Sequence, residues 1–223
     1  RRWDRDAAES ADLYVANSSA VARRIKTVYG IDAVVVNPPS ALDPSGPRRP
    51  VPGVEPGFLL SVGRGRGYKH LDVVAEAVAR HGTARLVVVG GYDGVEALRN
   101  VTRLQGVSDD ELLWLYAHAG AVVSLSHEDF GLTPVEGFGF GTPAVLLRGG
   151  GFLDSMVEGV TGGFAEAPTQ EAFLEALERL PGSFDAERTR RRHAALYTAA
   201  AFQRTIRALL AGDRAQAGPG SLA

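Results

Sequence analysis

The stretch Ser126-His127-Glu128-Asp129-Phe130-Gly131-Leu132-Thr133-Pro134-Val135-Glu136 decides how this chain is read. It follows Ala121–Leu125, an apolar run of the kind that forms a strand buried on both faces. It leads into a helix start, with Thr133 suited to the N-cap, Pro134 to the first helical position and Glu136 to the third. A carboxylate, a glycine and a set of backbone N–H donors thus sit between a strand end and a helix start. In an open α/β sheet that is where anionic ligands bind.

Working outward, the same alternation repeats. Strands are expected at 12–17, 33–36, 58–62, 86–89, 101–104, 121–125 and 143–147. Helices are expected at 1–10, 20–29, 69–80, 108–119, 152–158, 169–180, 185–196 and 200–211, with a further short one beginning at Pro134. Ser18 or Ser19 caps the second helix and Gly30 ends it; Ser108-Asp109-Asp110-Glu111 reads as a capping box. Residues 37–56 hold seven of the twelve prolines, which excludes helix and central strand and implies an extended connection. The pattern specifies an α/β fold, a doubly wound parallel sheet with right-handed crossovers. Residues 1–36 are expected to lead into the domain, 57–184 to form its ligand-binding body, 185–211 to be closing helices, and 212–223 a disordered tail.

Composition narrows the function. A net charge of −2 gives no electrostatic case for nucleic acid or an anionic membrane. The absence of cysteine removes disulfides, thiolate metal sites and thiol nucleophiles. No apolar run reaches membrane-spanning length and the first residues are not a signal peptide, so a cytoplasmic protein is expected.

Two regions offer chemistry. Glu128 and Glu136 suggest an acid/base pair of the glycosidase kind, but Glu136 is explained by the capping box, whereas Glu128 gains nothing from the fold. The turn Gly63-Arg64-Gly65-Arg66-Gly67-Tyr68-Lys69 follows another strand; its glycines admit a ligand to the backbone, and Arg64 and Lys69 would neutralise a diphosphate. Its spacing is neither the dinucleotide fingerprint nor a P-loop. The histidines lack metal-ligand spacing, His127 standing out only because it abuts Glu128. Asp4-Arg5-Asp6 and Arg188–Arg192 read as solvated helix faces.

Taken together, these loops resemble a known family. Glu128–Glu136, continuing through Gly137–Val145, resembles the Glu-x7-Glu motif of the retaining glycosyltransferases of family 4, which have the GT-B fold. Val62–Lys69 resembles their donor diphosphate loop, and Val101–Leu112 and Gly150–Gly162 match two further blocks, over a span of about residues 3–210. Trp3-Asp4, Ala16-Asn17-Ser18, Arg24-Ile25, Tyr29-Gly30, Pro38-Pro39 and Tyr68-Lys69 are similar to the mannosyltransferase members that build surface polysaccharides.

The resemblance implies one Rossmann-like half of a GT-B enzyme, binding a nucleotide-sugar, with GDP-mannose as donor and no metal. Arg64 and Lys69 would stabilise the leaving diphosphate and Glu128 would contact the transferred sugar. Glu136 would take the ribose hydroxyls, and the backbone of Phe130, Gly131 and Leu132 would hold sugar and phosphate. Gly63 and Thr133 join the donor-binding set, with Arg103 beside the base. A glycan or lipid-linked acceptor would bind a further domain preceding residue 1. Two departures stand out. The family's Glu-Ala-x-Ala helix is Glu136-Gly137-Phe138-Gly139 here, which predicts a less rigid helix, and the acid after the Gly-Gly block is Asp154 instead of Glu. A nucleotide-sugar epimerase, a phosphorylase-like relative and a non-catalytic sugar-nucleotide-binding subunit are the alternatives.

Overall fold

The computed structural model describes residues 2–63, 69–90, 98–182 and 184–212. The chain runs α1 (Arg2–Glu9), β1 (Tyr14–Ala16), α2 (Ser19–Tyr29), β2 (Ala33–Val35), β3 (Leu59–Val62), α3 (Leu71–His81), β4 (Leu86–Val89) and β5 (Val101–Leu104). It continues with α4 (Asp109–His118), β6 (Ala121–Ser124), α5 (Leu132–Phe140), β7 (Ala144–Leu147), α6 (Phe152–Ser155), β8 (Gly162–Ala165), α7 (Gln170–Glu178), α8 (Ala186–Leu196) and α9 (Ala199–Leu210).

Six strands form one parallel sheet in the order β5-β4-β3-β6-β7-β8. The chain starts in the middle at β3, winds outward through β4 and β5, then returns to β6 on the other side. Alternate residues feed two cores. Leu60, Val87, Val122, Leu146 and Phe164 face the layer holding Trp114, Tyr116, Phe138 and Tyr197 of α4, α5 and the C-cap of α8. Leu59, Leu86, Val88, Val123 and Val145 face the other layer, with Leu71, Val74 and Val78 of α3 and Phe173 of α7. Continuous apolar strands are what a sheet covered on both faces requires.

β1 and β2 form a separate two-stranded parallel sheet. A third cluster joins it to α9: Leu13, Val34 and Val36 pack with Phe202, Ile206 and Leu209. The proline-rich connection is irregular, as expected, and is stitched to the first core by buried Val51 and Val54 and by bonds from Arg49 N–H to the Asp110 carbonyl and Ser40 N–H to that of Tyr197.

Several local expectations hold. Ser18 Oγ accepts the Val21 N–H at 3.1 Å and Gly30 caps the end of α2. The capping box at Ser108 is complete, with both bonds to Glu111. Others need correction. The helix expected at 152–158 stops at Ser155: Met156 is extended, and the Val157 N–H turns to Thr161 Oγ1 at 2.8 Å, aiming the chain into β8. β8 itself was not anticipated, because Gly162-Gly163 reads as a turn; a Cβ at Gly162 would collide with the Ala144 carbonyl of β7.

The glycines of α5 also have a packing reason. A Cβ on Gly137 would lie 2.7 Å from Val122 Cγ2 in the sheet, and one on Gly139 would lie 2.8 Å from Pro44 Cγ and 3.1 Å from His193 Cε1 of α8. Their absence lets α5 lie tightly between β6 and α8. Helix propensity alone predicts a gain of about 0.5–1 kcal/mol for each Gly→Ala change. Overpacking costs about 1–3 kcal/mol and should prevail, so Gly137→Ala and Gly139→Ala are expected to lower the unfolding free energy in urea titrations.

Candidate functional site

The strand order reverses between β3 and β6, so the crossovers leaving these strands diverge and leave a crevice at their carboxyl ends. A cleft of about 300 Å³ occupies this place. Ser61, Val62 and Gly63 of β3 and its exit line one wall. Ser124 and residues Glu128 to Pro134 line the other.

The start of α5 differs from expectation. Gly131, not Thr133, is the N-cap, and Glu136 lies beyond the capping position. Gly131 has φ 83°, in the left-handed region, and a Cβ there would collide with the Phe152 ring. Only glycine fits both demands. The helix consequently begins at Leu132, and no side chain caps it. The first-turn N–H groups of Leu132 and Thr133 sit at the positive end of α5, with Pro134 next in line contributing none. Thr133 Oγ1 donates to the Val62 carbonyl at 3.4 Å, tying the helix start to β3.

The loop feeding α5 is held from the side by the segment after β7. Gly151 N–H donates to the Glu128 carbonyl at 2.9 Å, and a Cβ on Gly150 or Gly151 would collide with the backbone of residues 128–130. The Gly-Gly block thus fixes the loop's shape. Phe130 turns its side chain into the core against Tyr197, leaving its backbone on the cleft.

Lys69 reaches in from the opposite wall. Its Nζ lies 3.3 Å from Glu128 Oε1, and it arches over Gly63, where a Cβ would lie 2.9 Å from the ammonium. Both side chains are about one-quarter exposed, so the pair remains open to a ligand. Arg64 lies outside the described residues.

Glu136 has a different partner. Tyr116 of α4 donates its hydroxyl to Glu136 Oε2 at 2.6 Å. Burial pushes the Glu136 carboxyl above its ordinary value, against the opposing pull of this hydrogen bond. Tyr116, buried and facing that carboxylate, is held well above the usual phenol range. Arg103 is on the edge strand β5 and does not line the cleft.

The sequence reading passed over several residues. Asn17 and Pro38 reach the cleft from the β1–β2 layer, and Phe152 closes its side. Asp154 does not face the cleft; its carboxylate accepts both the backbone N–H and the hydroxyl of Ser19, at the start of α2. Arg24 on α2 pairs with Asp129 at 3.0 Å. These contacts join the small layer to the α5 loop. His127 is exposed beside Gly149. Among the described residues no group of three or more potential ligands is placed to hold a metal.

Residues 48–192 match the family described as Glycosyl transferases group 1. The chain belongs to this family. D-inositol 3-phosphate glycosyltransferase of Geodermatophilus obscurus is 31% identical over an alignment spanning 86% of this chain and 53% of that protein. An alpha-1,3/1,6-mannosyltransferase of Dictyostelium discoideum is 30% identical over 43% of this chain and 27% of its own. An Anabaena protein solved in complex with UDP-glucose superposes with a TM-score of 0.74 at 18% identity, covering 91% of this chain and 64% of that one. The fold is therefore the Rossmann-like half of a GT-B glycosyltransferase. The chain spans about half the length of the curated relatives it matches. No described helix is long and apolar enough to cross a membrane.

Two outcomes follow from the cleft. Lys69→Ala is expected to weaken binding of a nucleoside diphosphate by about 1.5–3 kcal/mol, the range for a charge-assisted contact. Glu128→Gln removes the competing carboxylate and a repulsive charge, and should leave that affinity unchanged or tighter; calorimetric titration of both variants checks the pair. The second concerns Glu136. Its folded carboxyl titrates above the unfolded one, so as pH rises the unfolded chain releases its proton first, and this residue's contribution to stability falls between the two values. Glu136→Gln is expected to flatten that decline in urea unfolding measured from acid to neutral pH.

Proposed function

We propose that this chain is the donor-binding half of a retaining glycosyltransferase that transfers a hexose from a nucleotide-sugar, with mannose from GDP-mannose as the donor sugar. The observation that carries the reading is the convergence of Lys69, Glu128 and the uncapped start of α5 in one cleft at the switch point.

In this reading the donor diphosphate lies over Gly63, with its oxygens toward Lys69 and the N–H groups of Leu132 and Thr133. Lys69 leaves Glu128 for the diphosphate, and Glu128 then accepts hydrogen bonds from the hydroxyls of the sugar. As the bond between sugar and diphosphate breaks, negative charge grows on the leaving oxygen. A fixed ammonium and aligned N–H dipoles stabilise that charge without having to reorganise. Arg64 supplies a second cation, and with it the positive charge needed by a leaving diphosphate comes from the protein, so the reaction proceeds without a divalent ion. Glu136, oriented by Tyr116, takes the ribose hydroxyls.

The mannosyl part of the reading is supported by the name of the Dictyostelium relative and by the blocks at Trp3-Asp4 and Tyr68-Lys69. The acceptor, a glycan or a lipid-linked saccharide, would bind a second domain facing the cleft, near the small β1–β2 layer whose residues Asn17 and Pro38 already reach it.

Titrating the chain with GDP-, UDP- and ADP-sugars, with and without chelator, tests this. GDP-mannose is expected to bind most tightly and with the same affinity after chelation. Binding by none of the panel would overturn the donor reading, and preference for a UDP-sugar would overturn the mannosyl part.

A further inference from the structure

A larger cavity, of about 580 Å³, lies along α8, away from the donor cleft, with which it shares no lining residue. Its walls include Arg188, Arg191 and Arg192, and Val157, Val160 and Leu196 supply the apolar part. The sequence suggested a solvated basic face here; Arg188 and Arg191 are exposed, and with the less exposed Arg192 they border a concavity.

Their charge is not neutralised locally. Arg190, on the same helix, pairs with Glu187 at 3.1 Å and donates to the Phe140 carbonyl. Arg188, Arg191 and Arg192 make no ion pair with any described carboxylate. Residues three and four apart on a helix are neighbours, so this arrangement places like charges side by side at a cost to the helix. Arg192 carries a further deficit: its Nε is buried and has no acceptor. Arg192 does donate to the Tyr197 hydroxyl, but three guanidinium groups around one concavity, none of them paired with a described carboxylate, favour an anion. The planar, forked donors of arginine match the several oxygens of a phosphate better than a single carboxylate can use them.

We propose that this groove is a second anion site, which takes a phosphate- or diphosphate-bearing ligand whose apolar portion rests on Val157, Val160 and Leu196. Its volume suits a small molecule or one lipid headgroup with the start of its chain. The site is separate from the donor cleft and does not depend on the donor reading.

The test is made in Lys69→Ala protein, which weakens the cleft's own claim on phosphate. Inorganic pyrophosphate is titrated in, and in parallel the protein is sedimented with vesicles of phosphatidylcholine alone or mixed with phosphatidylglycerol. Both measurements are repeated after adding Arg188→Glu and Arg191→Glu, exposed positions whose effect on folding is checked by the thermal midpoint. Pyrophosphate binding that falls at least tenfold in the charge-reversed protein supports the site with a free phosphorylated ligand. Sedimentation with the anionic vesicles only, lost on charge reversal, supports it with a lipid-linked one. If neither probe binds, or if charge reversal changes neither while the midpoint is unchanged, the proposal is overturned. Should charge reversal itself lower the midpoint, Arg191→Gln alone is compared and must still weaken the probe that bound.

Discussion

A parallel sheet whose winding reverses direction cannot cover its own centre. Crossover helices leave β3 toward one edge and β6 toward the other, and the carboxyl ends of those two strands are left facing a gap. Everything assembled at the cleft follows from that gap. β3 delivers Gly63 and Lys69, β6 delivers Glu128 and the start of α5, and the pairs Leu59–Ala121 and Leu60–Val122 hold the two walls in register. The remaining layers keep this geometry rigid. The segment after β7 presses on the 128–131 loop through positions where no Cβ is tolerated, and α8 holds α5 from behind at Gly139.

The cleft is also electrically poised. An ammonium beside an uncapped helix N-terminus concentrates positive charge on the cleft. Glu128 compensates it from a position about one-quarter exposed, where solvent reaches the pair. Glu136, further along α5, is not among the residues that line the cleft and is arranged differently. Its carboxylate is held by one phenol in a setting that resists ionisation.

Much of this was legible in the sequence because it is local. Short apolar runs bounded by turn residues, such as Leu86–Val89, read as strands of a sheet covered on both faces, and Ser108 with Glu111 marks a helix start through its own atoms. What escaped depends on contacts distant in sequence. Thr133 was a sound N-cap by pattern, yet Phe152, twenty-one positions after Gly131, and the backbone it crowds give that role to Gly131. β8 was hidden because Gly162 is there for its close approach to β7, a reason invisible in a two-glycine run. Tyr116 gave no signal as the partner of Glu136, and Asp154, noted only as a departure from the family's Glu, accepts the Ser19 N–H at the start of α2.

In the proposed donor site the Lys69–Glu128 pair is the resting form of a diphosphate site. A crystal structure of the chain with a bound nucleotide-sugar tests it most directly. The diphosphate is expected over Gly63 at the first turn of α5, with Lys69 Nζ on its oxygens and no longer on Glu128. A nucleotide seated elsewhere, or one bound with the Lys69–Glu128 pair intact and the diphosphate beyond its reach, would contradict it.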